Sequence, residues 1–485
     1  MTEHGPSDEH RPAVAVIGGG ASGVLVAVHF LAAPAADPAR FLIFERSGKV
    51  GAGAAFSTPH HSHVLNVPAG GMSAFKEDPG HFARWLDRKG HLGGPDDFVP
   101  RRLYHSYLRD TLTARTGSNQ AGHVLDVRSD EVVDIEPTGR GALIWPARGR
   151  PVRADVVVLA LGVVPSTFRD GLVANGAEDR CLTNPWDAAS LAAIEPCATV
   201  TLLGTGLSAV DVLLALQENG HRGPVQAISR HGLLPHAHLA RTSAAPDIAP
   251  ACPELSGATA RDLLKQVRTL VAGTEAQGGD WRDVVDLVRP RAQELWMGLS
   301  TDEQLRLKRH LERFWSVHRH RMAPEVAAQV ERLSERGLFH VHAGHVLAVE
   351  PAPSSLRLAV RTRSSGRVRH WGTDWLVNCS GPDPNVFRQD QVLMNRLRSR
   401  GWARPGPLGI GVDTDLAGKV IGTAGRPADW LWAIGSLRQG QLFESTAVPE
   451  IRLQAQDVAA LLLAKLRSFS PGYALLEAAP RAANY

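Results

Sequence analysis

Two stretches of the chain place glycines where a phosphate-holding turn needs them. "VIGGGASG" (16–23) carries Gly18, Gly20 and Gly23 in GxGxxG spacing. "GTGLSAVD" (204–211) carries Gly204, Gly206 and Ala209 in the looser GxGxxA form. In such a turn the first glycine permits the bend and the second lets the backbone approach a pyrophosphate. The third position packs helix on strand. The helix that follows offers unpaired N–H groups and the positive end of its dipole, so the chemistry is the holding of a dinucleotide's phosphates. Ser22 and Ser208, inside the two turns, count with the glycines as cofactor-binding candidates.

The strand ends beyond the turns differ. "RFLIFE" finishes on Glu45, 22 residues after Gly23, with Arg46 next. A carboxylate there accepts hydrogen bonds from ribose hydroxyls and repels a 2′-phosphate, so the first unit is expected to hold FAD or NAD. The glycine-rich stretch "ERSGKVGAGAAF" (45–56) favours FAD. "PVQAISR" instead finishes on Ser229 and Arg230. A guanidinium pairs with a 2′-phosphate as a fork, which predicts NADPH in the second unit; the alternative is a solvated surface arginine.

These residues require α/β elements to position them: two Rossmann-like domains, one for each nucleotide. An internal repeat supports the duplication. "VVDIEP" (132–137) matches "VLAVEP" (346–351). Each leads through short strands to a run, "DVVVLALG" (155–162) and "DWLVNCSG" (374–381), with Asp seven residues before Gly. Gly162 and Gly381 are expected where the chain crosses between domains. The organisation read from this is a flexible N-terminus at 1–11 and an FAD-binding domain from 12–166 and 381–485. An NADPH-binding domain takes 167–239 and 336–380. A helical insertion at 240–335 covers substrate and cofactor.

The bulk numbers fit such an assembly. The 485 residues are 44% hydrophobic and carry a net charge of +4, from 53 basic and 49 acidic residues. The basic residues, mostly arginine, are not concentrated as a nucleic-acid footprint would be, so no nucleic-acid partner is expected. The four cysteines form no CxxC pair and no metal-ligand spacing, so neither a redox disulfide nor a metal is expected. The opening "MTEHGPSDEHRP" lacks the apolar stretch of a secretory signal, and no apolar run reaches the ~18–20 residues of a membrane span. A cytoplasmic protein, possible as a homo-oligomer, is the expectation.

With its "GxGxSAxD"-type second turn the chain resembles the flavin monooxygenases that use NADPH, including the N-hydroxylating and Baeyer–Villiger branches. More closely it resembles FAD/NAD(P)-binding oxidoreductases that share further stretches. Here these read "HVLNVPAGGMSAF" (63–75), "VPRRLYHSYL" (99–108), "HRHRMAP" (318–324) and "LWAIGSLRQGQLFESTAVPEIRLQA" (431–455). The resemblance implies that Asn66, Leu65 and Val67 lie near the flavin ring, with Asn66 as the catalytic contact. It implies that Arg101 lies near the FAD phosphates, and that Gly435 and Ser436 meet the ribityl chain. Ser445 and Thr446 would stand at the start of the long final helix, whose N–H groups could stabilise the reduced ring.

A reduced flavin passes electrons to a disulfide, to another acceptor or to dioxygen. Without a cysteine pair, and given the resemblance, the reading is an FAD- and NADPH-dependent monooxygenase acting through a C4a-(hydro)peroxyflavin. The expected reaction is N-oxygenation of a small amino-acid-like substrate, aspartate being the candidate, with dioxygen as co-substrate. The alternatives are an oxidoreductase feeding a non-oxygen acceptor and a non-catalytic NADPH/FAD sensor. Arg241, Arg309, Arg313, His320 and Arg321, in or beside the insertion, are the substrate-binding candidates. Arg309 and Arg313 are read as i,i+4 neighbours on one helix that could clamp a substrate carboxylate or the NADPH phosphates, or form a solvated basic face.

Overall fold

The computed structural model describes residues 11–34, 37–163, 165–239, 255–388 and 391–469. The first part of the chain runs β1 (Ala13–Ile17), α1 (Ala21–Ala32), β2 (Arg40–Phe44), α2 (Gly53–Phe56), α3 (His81–Arg88), α4 (Arg101–Gly117) and β3 (Val124–Arg128). An antiparallel meander follows, β4 (Val132–Pro137), β5 (Ala142–Pro146) and β6 (Val152–Ala154), then β7 (Val156–Leu159). The second part runs β8 (Cys181–Leu182), α5 (Ala188–Ala192), β9 (Val200–Leu203), α6 (Leu207–Glu218) and β10 (Val225–Ser229). Six helices come next: α7 (Ala260–Ala276), α8 (Trp281–Val288), α9 (Ala292–Met297), α10 (Thr301–His310), α11 (Glu312–Arg319) and α12 (Pro324–Glu335). A second meander, β11 (Phe339–Pro351), β12 (Leu356–Thr362) and β13 (Val368–Thr373), leads into β14 (Trp375–Asn378). The chain then returns through α13 (Val392–Ser399), β15 (Lys419–Ile421), β16 (Pro427–Ala433) and α14 (Val448–Arg467).

Two sheets result. One has the order β15-β16-β7-β1-β2-β3 and is parallel from β16 to β3; the other has the order β13-β12-β11-β10-β9-β14-β8 and is parallel from β11 to β8. The alternation of β1 explains its two-sided burial: Val14 and Val16 join the core under α1, α4 and α14, while Ala13, Ala15 and Ile17 join the core under the first meander. Helix α1 is apolar all round because the sheet, α4 and α14 enclose it. In the second sheet Val200 and Leu202 pack with α6, and Ile228 and Leu376 pack with the second meander.

Helix α12, expected within the insertion, instead belongs to the second sheet's core. Its Val326, Val330 and Leu333 pack there, and it connects β10 to the parallel β11. Helices α7 to α11 stand apart around a small core of their own, with Leu255, Val284 and Val288 at its centre.

The sequence repeat has a physical basis in two aspartates. Asp155 accepts a hydrogen bond from the Ala13 amide (2.8 Å) and returns its own amide to the Ala13 carbonyl. Asp374 does the same with Thr199 (2.7 Å). Each aspartate thus fixes the end of a meander to the start of its sheet's central strand. The duplication is not complete: β4–β6 form a separate sheet, whereas the 13-residue β11 continues from the parallel sheet into the meander. The two crossings between sheets lie side by side. Pro165 bridges Pro382, and the Ser166 hydroxyl donates to the Gly381 carbonyl at 2.7 Å. Gly162 and Gly381 take φ of +68° and +89° at these crossings.

Candidate functional site

The two glycine turns have one construction. Gly18 and Gly204 take φ of +106° and +126°, and their amides donate to the last residues of β2 and β10 in register (Phe44 and Ile228 carbonyls, 2.9 and 2.8 Å). A Cβ on either would lie 2.4 or 2.2 Å from a carbonyl oxygen, of Ala160 or Cys379. Gly20 and Gly206 are extended N-caps without side-chain capping bonds, and neither helix has an acidic residue in its first turn. A Cβ on Gly206 would meet nothing within 4 Å, and one on Gly20 only the Gly53 backbone, Cα at 3.5 Å and N at 3.9 Å. Both helix starts therefore fit a phosphate. Gly23 serves packing, since a Cβ there would lie 2.1 Å from the Gly18 oxygen; Ala209 fills the equivalent place.

The strand ends are tied to their turns. Glu45 Oε2 accepts the Gly19 amide (2.9 Å), and Oε1 accepts the amide and hydroxyl of Ser47. Oε2 keeps a lone pair for a ribose hydroxyl. Arg46 is exposed. Ser229 Oγ is within 2.9 Å of the Thr205 hydroxyl and accepts the Gly232 amide. Arg230 is exposed at the end of β10. Beside it, His231 is held below its ordinary pKa by burial and then by Arg313, Arg363 and Arg230. Arg230 and Arg313 thus share one basic neighbourhood. Ser208 is half-buried in the first turn of α6.

Gly162, Gly435, Ser436 and Ser22 converge at the ends of β7 and β16. The Ser436 hydroxyl donates to the Gly162 carbonyl (2.7 Å). A Cβ on Gly435, where φ is +72°, would lie 2.9 Å from Ser22 Oγ. The final helix begins later than the sequence implied. Its N-cap is Ala447; Ser445 is fully buried with no hydrogen-bond partner for its hydroxyl, and Thr446 is exposed. Neither caps α14, because Pro449 fixes the first turn two residues further on and Glu450 supplies its acidic side chain.

Arg101 corrects another expectation. Its Nη1 and Nη2 donate to the two carboxylate oxygens of Asp211 (2.7 and 3.0 Å), and Nε donates to the Val64 carbonyl. A guanidinium so engaged is committed to helix α6 rather than to FAD phosphates. The loop between them is fastened as well. His63 Nε2 donates to the Asp211 carbonyl (2.8 Å), and Glu218 accepts the amides of His61 and Ser62 and the Ser62 hydroxyl. Burial alone would raise the Glu218 carboxyl; the Ser62 and His61 hydrogen bonds outweigh it and hold it at about 2.

Beyond this loop lies a cavity of about 1240 Å³. Asn66, Val67 and Pro68 form one edge; α8, Arg319 and Arg321 another; and Leu442, Glu444 and the first turns of α14 a third. Leu65 is buried beneath. His238, which sequence reasoning missed, donates from Nε2 to the Asn66 carbonyl (3.1 Å), with its ring 4.8 Å from that of Phe98. Burial, then Arg321, lowers its pKa to about 4, so it is neutral at pH 7. The cavity carries both signs of charge. Arg289 Nε donates to Glu450 (2.9 Å). Buried Arg319 lies 3.7 and 3.6 Å from the carboxylates of Glu444 and Glu450, and Arg321 pairs with Asp286.

Of the four substrate-binding candidates among the described residues, only Arg321 lines this cavity. The helix carrying Arg309 and Arg313 breaks at Leu311. Arg309 is exposed at the end of α10, and Arg313 donates to the Arg309 carbonyl on the side of His231. His320 stands behind Arg319 and is lowered to about 4 by burial and then by Arg319 and Arg289. Arg241 lies outside the described residues.

Residues 15–164 match the family model described as FAD-NAD(P)-binding. No curated protein matches the chain in sequence. Among solved structures, the ornithine N-hydroxylase of Kutzneria sp. 744, with reduced FAD, NADP+ and L-ornithine, superposes with a TM-score of 0.65 at 16% identity. The match covers 94% of this chain and 99% of that one. The fold is that of a two-domain dinucleotide-binding flavoprotein. The same flavoprotein fold relates the chain to the reduced ornithine hydroxylase of Pseudomonas aeruginosa (TM-score 0.60, 15% identity, 94% and 99% covered). It also relates it to the FAD-bound cadaverine monooxygenase of Erwinia amylovora (0.61, 12%, 93% and 94%).

Proposed function

We propose that the protein is an FAD- and NADPH-dependent monooxygenase that oxygenates the amino nitrogen of a small amino-acid-like substrate. The observation that carries this reading is the cavity of about 1240 Å³ bounded by the Asn66 edge, by residues of α8, α9 and α11, and by the start of α14. The likeness in fold to amine- and ornithine-oxygenating enzymes supports it. In this reading Gly18, Gly20 and Glu45 hold FAD with Gly435 beside Ser22, and Gly204, Gly206 and Arg230 hold NADPH. The bound flavin supplies the activation of dioxygen. The chain supplies a large cleft, polar groups around it and charges that orient the substrate.

The mixed charges fit a zwitterion: Arg289, Arg319 and Arg321 face carboxylates, while Glu444, Glu450 and Asp286 balance them and can face an ammonium group. Aspartate is the candidate with the most to offer the arginines. The test is purified protein with NADPH and oxygen, given aspartate, ornithine, lysine and cadaverine in turn. Hydroxylamine or nitro product formed in proportion to NADPH consumed by one of them is the expected result. No product from the panel, with rapid reduction of artificial electron acceptors, overturns monooxygenation in favour of electron transfer.

A further inference from the structure

Helix α6 is almost wholly apolar and buried, yet it carries Asp211 on a face turned to the other unit. Asp211 and Glu218 are seven residues apart, two helical turns, and so lie on one stripe roughly 10 Å long. Residues 61–64 run along that stripe. Glu218 takes the amides of His61 and Ser62, the Asp211 carbonyl takes the His63 ring, and Arg101 grips the Asp211 carboxylate while its Nε holds the Val64 carbonyl. The Arg101 amide in turn donates to the His63 carbonyl at 2.9 Å. On the far side, His238 from beyond β10 holds the Asn66 carbonyl. The segment these anchors fix leads directly into the Asn66–Val67 edge of the cavity.

We propose that Arg101, Asp211 and Glu218 form a clamp by which the helix of the second glycine turn positions the Asn66 edge of the cavity. The inference rests on the reading of that edge as flavin-facing and of the second turn as the NADPH site. The pair is a poor choice for stability alone, because apolar contacts of the same volume serve a buried boundary as well or better. What a two-pronged ion pair adds is a fixed distance and angle. Asp211 follows Gly206 by little more than one helical turn, so the groups that would receive the nucleotide's phosphates and those that set the loop share one rigid element. Arg101, Asp211 and Glu218 are positioning residues; none lines the cavity.

The test uses the FAD-loaded protein with Arg101→Lys, Asp211→Asn and Glu218→Gln. Amide hydrogen exchange at residues 61–66 is expected to rise about tenfold or more in each variant, while β9 and the interior of α6 keep their protection. Anaerobic mixing with NADPH is expected to show a limiting rate of flavin reduction lowered about 10- to 100-fold, with the NADPH Kd within about threefold of wild type, as a misplaced edge requires. The double variant Arg101→Lys/Asp211→Asn should be no worse than the more impaired single. Unchanged exchange at 61–66, strictly additive losses, or a slower reduction explained wholly by weaker NADPH binding would overturn the clamp. If a change to the buried pair prevents folding, the half-exposed Glu218→Gln alone decides the exchange result. Should the wild type not be reduced by NADPH at all, the functional reading fails, and the exchange data still decide whether the loop is set from α6.

Discussion

Arg101 and Asp211 stand 110 residues apart in the chain and meet as a two-pronged ion pair, 2.7 and 3.0 Å long, between the first residue of α4 and the helix of the second glycine turn. Both side chains are largely withdrawn from water, at 15% and 10% exposure. Removing one partner strands a buried charge. Asp211→Ala is therefore expected to destabilise the protein by about 3–5 kcal/mol, whereas replacing both by an apolar pair, Arg101→Met with Asp211→Leu, recovers most of the loss. Urea unfolding of the three variants checks this; a double variant as unstable as the sum of its parts would refute it.

The two glycines of the second turn should respond oppositely to one methyl group. Gly204→Ala forces a Cβ to 2.2 Å from the Cys379 oxygen at a φ of +126°, and is expected to lower stability by about 2 kcal/mol or more. At Gly206 the space is open, so Gly206→Ala is expected to lose less than about 1 kcal/mol. It should nonetheless weaken NADP+ binding about tenfold, since the methyl stands where a pyrophosphate would pass. Thermal unfolding and NADP+ titration separate the two; equal Tm losses would contradict the assignment.

Arg230 marks the expected 2′-phosphate site. Losing a charge-assisted fork of about 1.5–3 kcal/mol should raise the Kd for NADP+ roughly 10- to 100-fold in Arg230→Ala, with the Kd for NAD+ little changed. Arg313→Ala, from the same neighbourhood, should shift NADP+ in the same direction by less. Parallel losses for both nucleotides would move the phosphate site elsewhere.

Acid should loosen the fold in two windows. His238 and His320 are depressed in the folded state to about 4 from an ordinary value near 6.5. The unfolded chain takes up their protons first, so stability present above pH 6.5 falls as pH drops towards 4. Glu218, at about 2 when folded against 4.5 otherwise, contributes stability above pH 4.5 that is lost as pH falls towards 2. Denaturation midpoints across this range should flatten between pH 6.5 and 4 in His238→Gln and below pH 4.5 in Glu218→Gln. Slopes identical to wild type in both variants would show that other groups govern the acid limb.

What the sequence disclosed was local, and what it concealed was distant. The turns at Gly18 and Gly204, the strand ends at Glu45 and Arg230 and the repeated Asp155 and Asp374 are each set by neighbours within one strand–turn–helix or one meander, so spacing revealed them. Arg101 was misread because its partner is remote, although one signal was present: an aspartate inside the apolar run "LSAVDVLLAL" needs a buried partner. Arg309 and Arg313 were misread because the helical period was carried through Leu311, where the backbone breaks. His238 offered no pattern at all; it matters only because the chain after β10 passes over Asn66.

The paired crossings at Pro165 and Pro382 have an architectural consequence. The chain leaves the first sheet and re-enters it at nearly one point, so everything between behaves as a cassette hung from two adjacent stems. Grafting the corresponding cassette of a relative would need no new linker, but it would need a carboxylate to meet Arg101, another to meet the amides of His61 and Ser62, and partners for Asn66, Glu444 and Glu450. Compatibility between cassette and host is thus written in the side chains that meet across the boundary, Arg289 and Arg319 with Glu450 and Trp315 with Glu444 among them, rather than in the length of the join.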